Sequence, residues 1–152
     1  MRMMFLWKVR KIDTLTITMM GDLRNGRTIH SLLHSLKDFN VKINLVSPDN
    51  LSAPFEYAHG ININLSLVLT KNIAEQSDVL YMTRVQKERG STGKYELTKN
   101  NVDNFKKNMI VMHPFPRNEE IPRWFDSDPR AKYFNQMKNG LYVRMALLLH
   151  YK

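Results

Sequence analysis

Apolar and polar positions along this chain alternate between two periods. Residues 15–20 form a short β-prone run that stops at Gly21, and residues 28–39 then place Ile29, Leu32, Leu33 and Leu36 at helical spacing. Residues 41–46 return to a strand pattern, halted by Ser47-Pro48-Asp49-Asn50. Residues 54–59 read as a single helical turn, 61–69 as a strand, 71–76 as a short helix and 78–83 as a buried strand. A polar loop, a helix over 98–107 and a strand over 109–113 follow. Strand and helix in repetition predict an α/β fold with a mainly parallel sheet of about five strands. Ligands of such sheets bind beyond the carboxyl ends of the strands. That rule selects residues 21–28, 83–89 and 113–117.

The last segment has a different character. From Pro129, a favourable first-turn residue, to about His150 the pattern predicts one long helix. Phe134, Met137, Leu141, Met145 and Leu148 follow its spacing, with Tyr133, Tyr142 and Leu149 widening the stripe. This is more apolar face than a surface helix needs. Two readings account for it: packing on the domain's own sheet, or docking on a neighbouring domain.

Composition narrows the picture. With 152 residues and 43% hydrophobic content the chain fits one domain with a core. The absence of cysteine excludes disulfides, thiolate catalysis and cysteine-bound zinc. No stretch approaches the roughly 20 apolar residues of a membrane helix, and the apolar start is broken by Lys8, Arg10 and Lys11 before a signal sequence forms. The expectation is a cytoplasmic protein with no membrane association. A formal charge of +9 asks for an anionic partner without naming it. The basic residues are dispersed, so a solvated basic surface explains the charge better than nucleic-acid binding.

Three loops carry candidate chemistry. Gly21-Asp22-Leu23-Arg24-Asn25-Gly26-Arg27-Thr28 follows a strand and opens a helix, one residue away from a phosphate-binding loop with Arg27 in the lysine's place. A guanidinium favours bidentate pairing with a carboxylate, so an arginine at a helix mouth facing an anion is the better reading. Arg84 and Gln86 stand two apart after the next strand and can present donors to one ligand, with Lys87, Glu88 and Arg89 shaping the loop. His113-Pro114-Phe115-Pro116-Arg117 closes the third strand, where two prolines stiffen the backbone at Phe115. A lone His113 is more often structural than catalytic. His30 and His34 stand four apart without an acidic partner, so no metal site is expected.

Taken in order, these segments resemble the aspartate carbamoyltransferase family. Its G-D-L-K-x-G-R-T-[VI]-H-S-L corresponds to residues 21–32, its D-[VI]-L-Y-M-T-R-[VI]-Q-K-E-R to 78–89, its M-H-P-x-P-R to 112–117, and its D-x-D-P-R-A-x-Y-F…N-G-x-[YF]-[VI]-R-M-A-L-L to 126–148. The sister ornithine enzymes carry His-Cys-Leu-Pro where this chain has His113-Pro114-Phe115-Pro116, which favours aspartate. The resemblance implies a three-layer Rossmann-like aspartate-binding domain of an enzyme that joins L-aspartate to carbamoyl phosphate in pyrimidine synthesis, without cofactor or metal. By position, Arg27, Arg84 and Gln86 would hold the aspartate carboxylates, and the backbone at Phe115 and Pro116 would orient the reacting groups. Asp22, Arg24 and Pro114 would support them, and Lys87, Glu88 and Arg89 would belong to a closing loop.

The family's carbamoyl-phosphate motifs, an earlier Ser-Thr-Arg-Thr and a His-Pro-[ST]-Gln segment, do not occur in the sequence. The resemblance therefore implies residues 1–13 as a remnant of an interdomain linker helix, 14–128 as the aspartate-binding domain, and 129–152 as a helix that returns to a carbamoyl-phosphate-binding domain absent from this chain. It further implies a homotrimer for the intact enzyme and inactivity for this half alone. Arg24 replaces the usual lysine, Phe115 is bulkier than the usual residue, and residues 47–76 and 90–107 are several residues short. The alternative is a non-catalytic aspartate-binding or interaction module derived from the same enzyme.

Overall fold

The computed structural model describes residues 12–85 and 95–151. The expected linker-helix residues 5–11 and the loop residues Gln86, Lys87, Glu88 and Arg89 lie outside the described residues. Five strands, β1 (Thr16–Met20), β2 (Lys42–Val46), β3 (Asn62–Ser66), β4 (Val79–Met82) and β5 (Ile110–Met112), form one sheet in the order β3-β2-β1-β4-β5. Every pairing is parallel. The helices are α1 (Arg27–Leu36), α2 (Phe55–Ala58), α3 (Lys71–Gln76), α4 (Lys99–Asp103) and α5 (Tyr133–His150), with 3-10 turns at Asp49–Leu51 and Arg123–Ser127.

Alternation along the strands divides the core into two layers. Ile17 and Met19 of β1, Ile43 and Leu45 of β2, and Tyr81 of β4 face one side, where α1 supplies Ile29, Leu32, Leu33 and Leu36. Met20, Val46, Leu80, Met82 and Val111 face the other, against Ile73 and Ala74 of α3, Val102 and Phe105 around α4, and Phe125 and Tyr133. Burial on both faces is the reason β4 reads as an unbroken apolar run. One corner of the second face is polar. There the Ser77 and Thr18 hydroxyls lie 2.5 Å apart, Asn44 donates to Thr18 and Asn64 donates to Asn44, so the buried members are satisfied across three strands.

Two helices differ from the pattern reading. The segment expected as α4 over 98–107 begins with a Thr98–Asn101 capping box but ends at Asp103. Arg130 donates to the carbonyl oxygens of Val102 and Phe105, taking acceptors that further helical N–H groups would use, and Phe105 turns into the core. The final helix starts at Tyr133, four residues after Pro129. Residues 130–132 lie along β5 instead: Val111 N–H donates to Arg130, Lys132 N–H donates to Val111, and Val111 and Ala131 form a parallel bridge. Pairing to a sheet edge has overridden the helix-start signal.

The apolar stripe of α5 does not pack on this domain's sheet. Tyr133 is its only buried residue, while Phe134, Met137, Leu141, Tyr142, Met145, Leu147, Leu148 and Leu149 are exposed. Of the two readings of the stripe, packing on its own core is excluded. Among the described residues no helix is long and apolar enough to cross a membrane.

Candidate substrate site at the carboxyl edge of the sheet

The chain leaves β1 through α1 to β2 and β3 on one side, then crosses by α3 to β4 on the other. The two directions part between β1 and β4, which places a crevice beyond their carboxyl ends. Gly21 makes the closeness of the two strand ends tolerable. It has φ +121°, and a Cβ there would collide with the Thr83 carbonyl and lie 2.7 Å from Thr83 Oγ1. The same strand end is tied by Thr83 N–H donating to Met20 O at 2.8 Å.

Past Gly21, the Asp22 carboxylate accepts from the Asn25 backbone at 2.9 Å and from the Asn25 amide, closing a tight turn. Gly26 then caps α1, which carries no acidic residue in its first turn. Arg27 occupies the first helical position, exposed, at the positive end of the helix dipole. Arg24 is also exposed and reaches Asn50 O at 3.5 Å, on the side of the 3-10 turn. Arg84 is half-buried two residues past β4. Arg27, Arg84 and the 114–116 segment thus lie at one end of three adjacent strands, β1, β4 and β5.

A cleft of about 380 Å³ opens there, lined by Thr28, Tyr81, His113, Pro114, Phe115, Gln136 and the first turns of α5 up to Arg144. Pro114 and Phe115 are the expected residues that line it; Arg27, Arg84 and Pro116 do not, although Thr28 adjoins Arg27. Phe115 has φ +54° and a cis peptide bond to Pro116. Its ring packs edge-on to His113 and Tyr133 and against Phe134. The side chain is therefore anchored against these three rings.

His113 is buried and structural. Its Nδ1 accepts from the Phe115 backbone N–H at 3.0 Å, which assigns the ring proton to Nε2, 2.9 Å from Glu120. The N–H is poorly aligned with that oxygen, so the contact is electrostatic more than a well-formed hydrogen bond. Burial opposes ionisation of Glu120. The nearby His113 ring and bonding to the backbone N–H groups of Asn118 and Glu120 itself outweigh it, and the carboxyl is held below its ordinary range. Buried, with Nδ1 taken by the Phe115 N–H and Nε2 facing Glu120, His113 shapes the 113–116 turn.

Four contributors were not legible as site residues. Gln136 of α5 accepts from the His113 backbone N–H at 2.9 Å. Burial raises the Tyr81 phenol, while hydrogen bonding with Thr28 and Gln136 pulls it down. Glu120 and the Arg117–Asp126–Tyr133 cluster complete the support. Arg117 pairs through both amino groups with Asp126, and the Tyr133 hydroxyl donates to the same carboxylate. Hydrogen bonding to Arg117 lowers Asp126 despite some desolvation. Tyr133 is raised, by burial first and then by Asp126. Only the tertiary fold brings residues 81, 120, 126, 133 and 136 to this place, so spacing alone gave no signal. Among the described residues no three His, Asp or Glu side chains are placed to hold a metal ion.

A family model for the Asp/Orn-binding domain of aspartate/ornithine carbamoyltransferases matches residues 13–151. The chain belongs to this family. It is 45% identical over 148 residues to the aspartate carbamoyltransferase catalytic subunit of Picrophilus torridus, covering 90% of this chain and 48% of that subunit. It is 48% identical over 149 residues to a multifunctional protein of Dictyostelium discoideum, of which it covers 7%. Among solved structures, aspartate transcarbamoylase from Trypanosoma cruzi in complex with aspartate and phosphate superposes with a TM-score of 0.88 at 40% identity, covering 95% of this chain and 49% of that one. The chain spans about half the length of the catalytic subunits it matches. The residues matched by the family model take in all five strands and α5.

Proposed function

We propose that this chain is the aspartate-binding half of an aspartate carbamoyltransferase, competent only together with a carbamoyl-phosphate-binding domain. What supports the reading is that Arg27, Arg84 and the 114–116 turn follow the adjacent strands β1, β4 and β5 at one end of the sheet, in a family whose T. cruzi member was solved with aspartate and with carbamoyl phosphate. Arg27 and Arg84, with Gln86, hold the two carboxylates of L-aspartate, since planar guanidinium groups pair with carboxylates through two parallel bonds. The α1 dipole adds to the attraction. The backbone at Phe115 and Pro116 orients the amine toward the carbamoyl carbon.

The neutral amine attacks that carbon. A C–N bond forms, the carbonyl oxygen takes the electron pair, and collapse of the tetrahedral species breaks the C–O bond to phosphate. Phosphate departs with the pair, and the nitrogen loses a proton. This chain contributes proximity and charge rather than a nucleophile. The apolar face of α5 docks on the carbamoyl-phosphate-binding domain. Assembly as a homotrimer in the cytoplasm belongs to the same reading.

The test is carbamoyl-aspartate formation from saturating substrates, by the chain alone and mixed with a separately made carbamoyl-phosphate-binding domain. Activity only in the mixture is expected. Activity of the chain alone overturns the division of labour. Silence in the mixture, with both pieces folded and associated, replaces the reading by a non-catalytic aspartate-binding module. In the active mixture Arg84→Ala is expected to raise the aspartate KM by about 30-fold or more, the usual cost of leaving a charge unpaired in a desolvated site; an unchanged KM removes Arg84 from the site.

A further inference from the structure

The two edges of the sheet are treated differently. The β5 edge is covered, since residues 130–132 hydrogen-bond to Val111 on both its N–H and its C=O. The β3 edge is open among the described residues, apart from Leu67 O, which accepts from the Tyr95 hydroxyl just past the strand. Among the described residues none of the usual protections of an edge strand is present there. Residues 60–70 contain no charged residue and no proline in a chain of net charge +9. Leu65 is 71% exposed, and Leu67 and Val68 are also exposed.

The backbone direction is fixed. Ser66 O accepts from Ser47 N–H of the neighbouring chain segment, so residues 62, 64 and 66 turn their backbone groups toward β2. The N–H and C=O groups of Ile63 and Leu65 then point outward. A strand added antiparallel about a two-fold axis through Asn64 sets Ile63 opposite Leu65 of the other copy, where the pairs exchange N–H···O bonds. The same register continues both faces of the sheet, with Ile63 and Leu65 on one and Asn62, Asn64 and Ser66 on the other.

We propose that β3 is a self-pairing edge, on which a second copy of this chain docks antiparallel to make one continuous ten-stranded sheet. The partner is a second copy because the edge matches itself in register, polarity and backbone direction, and because a neutral strip is where two strongly basic chains meet with least repulsion. This two-fold contact is separate from the aspartate site and from the face of α5.

The chain has no cysteine, so Asn64→Cys supplies a single thiol that tests the axis directly. The two residues 64 would form a non-hydrogen-bonded pair with Cα atoms ~4.5 Å apart, within disulfide range. Mild oxidation is expected to link most of the Asn64→Cys chain as a dimer, with Lys107→Cys, on an exposed position, linking at least tenfold more slowly. Without oxidant, sedimentation of the unsubstituted chain is expected to show a dimer that Leu65→Lys dissociates and Met145→Glu on α5 does not. In the dimer the amides of Ile63 and Leu65 should exchange at least tenfold more slowly than in the Leu65→Lys monomer. A monomer at all concentrations, equal linking at residues 64 and 107, or a dimer lost with Met145→Glu but kept with Leu65→Lys overturns the proposal.

Discussion

Replacing Gly21 by alanine tests whether the closeness of β1 and β4 at the switch point rests on a missing side chain. Two costs add at this position. The first is conformational: φ +121° lies in territory that side chains avoid, worth about 1–3 kcal/mol. The second is steric, because the new Cβ meets the Thr83 carbonyl, a backbone atom in the sheet that cannot rotate away. Forcing a carbon into a packed site of this kind costs about 1–3 kcal/mol. The sum is roughly 2–6 kcal/mol, a large share of the stability of an ordinary domain. Gly60 is the internal control, since it also has positive φ (+84°) but nothing lies within 4 Å of its Cβ position. Gly60→Ala should lose only about 1 kcal/mol, left-handed strain partly offset by a less flexible unfolded chain. Urea unfolding of the three proteins, read by circular dichroism at constant m, supplies the comparison. A Gly21→Ala loss within about 0.5 kcal/mol of the Gly60→Ala loss would refute the steric argument. Movement of Thr83 also displaces Arg84, so the same variant should raise the aspartate KM in the assembled enzyme.

Two other outcomes are expected. Asp126 has a folded pKa held below its ordinary value by Arg117, so its contribution is complete above the unfolded value of about 3.9 and is lost as pH falls through the folded one. The stability gap between the wild-type chain and Asp126→Asn should therefore be constant from pH 7 to 5 and shrink below about pH 4; a gap that widens toward acid in thermal melts contradicts the Arg117 pairing. The exposed stripe of α5 should bind a hydrophobic dye, and Met145→Glu with Leu148→Glu should remove most of that fluorescence without changing the far-ultraviolet spectrum. Equal dye binding by the double variant would locate the apolar surface elsewhere.

The inner strands were legible because a parallel sheet buried on both faces demands apolar runs, and edge strand β3 because Ile63 and Leu65 alternate with Asn and Ser; each observed strand lies within one to three residues of its expected span. Arg27 could be placed at a helix mouth since Gly21 and Gly26 bracket a strand-to-helix turn. The start of α5 was misread because Pro129 signals a helix only locally, and the competing partner, Val111, is distant in sequence. Helix α4 was overestimated for a similar reason: Arg130 claims its last carbonyl groups from 28 residues away. Glu120, Tyr81 and Gln136 stayed hidden, for a buried carboxylate or phenol is told from a surface one only by what folds around it. Charge gave little, since Arg117 and Arg130 are consumed by Asp126 and Asp128.

The Arg117–Asp126–Tyr133 cluster acts at the root of α5. It ties the exit of β5 to the first residue of the helix through two charged groups and a hydroxyl, while Gln136 one turn later holds the His113 backbone. The helix is thus a lever clamped at one end, its direction set before any partner arrives. Binding a partner then costs little orientational entropy, and the docking rate should reflect the stiffness of the clamp as much as the apolar residues that touch. A change at Arg117, which is no part of the exposed stripe, is expected to slow docking while leaving every side chain of the stripe in place.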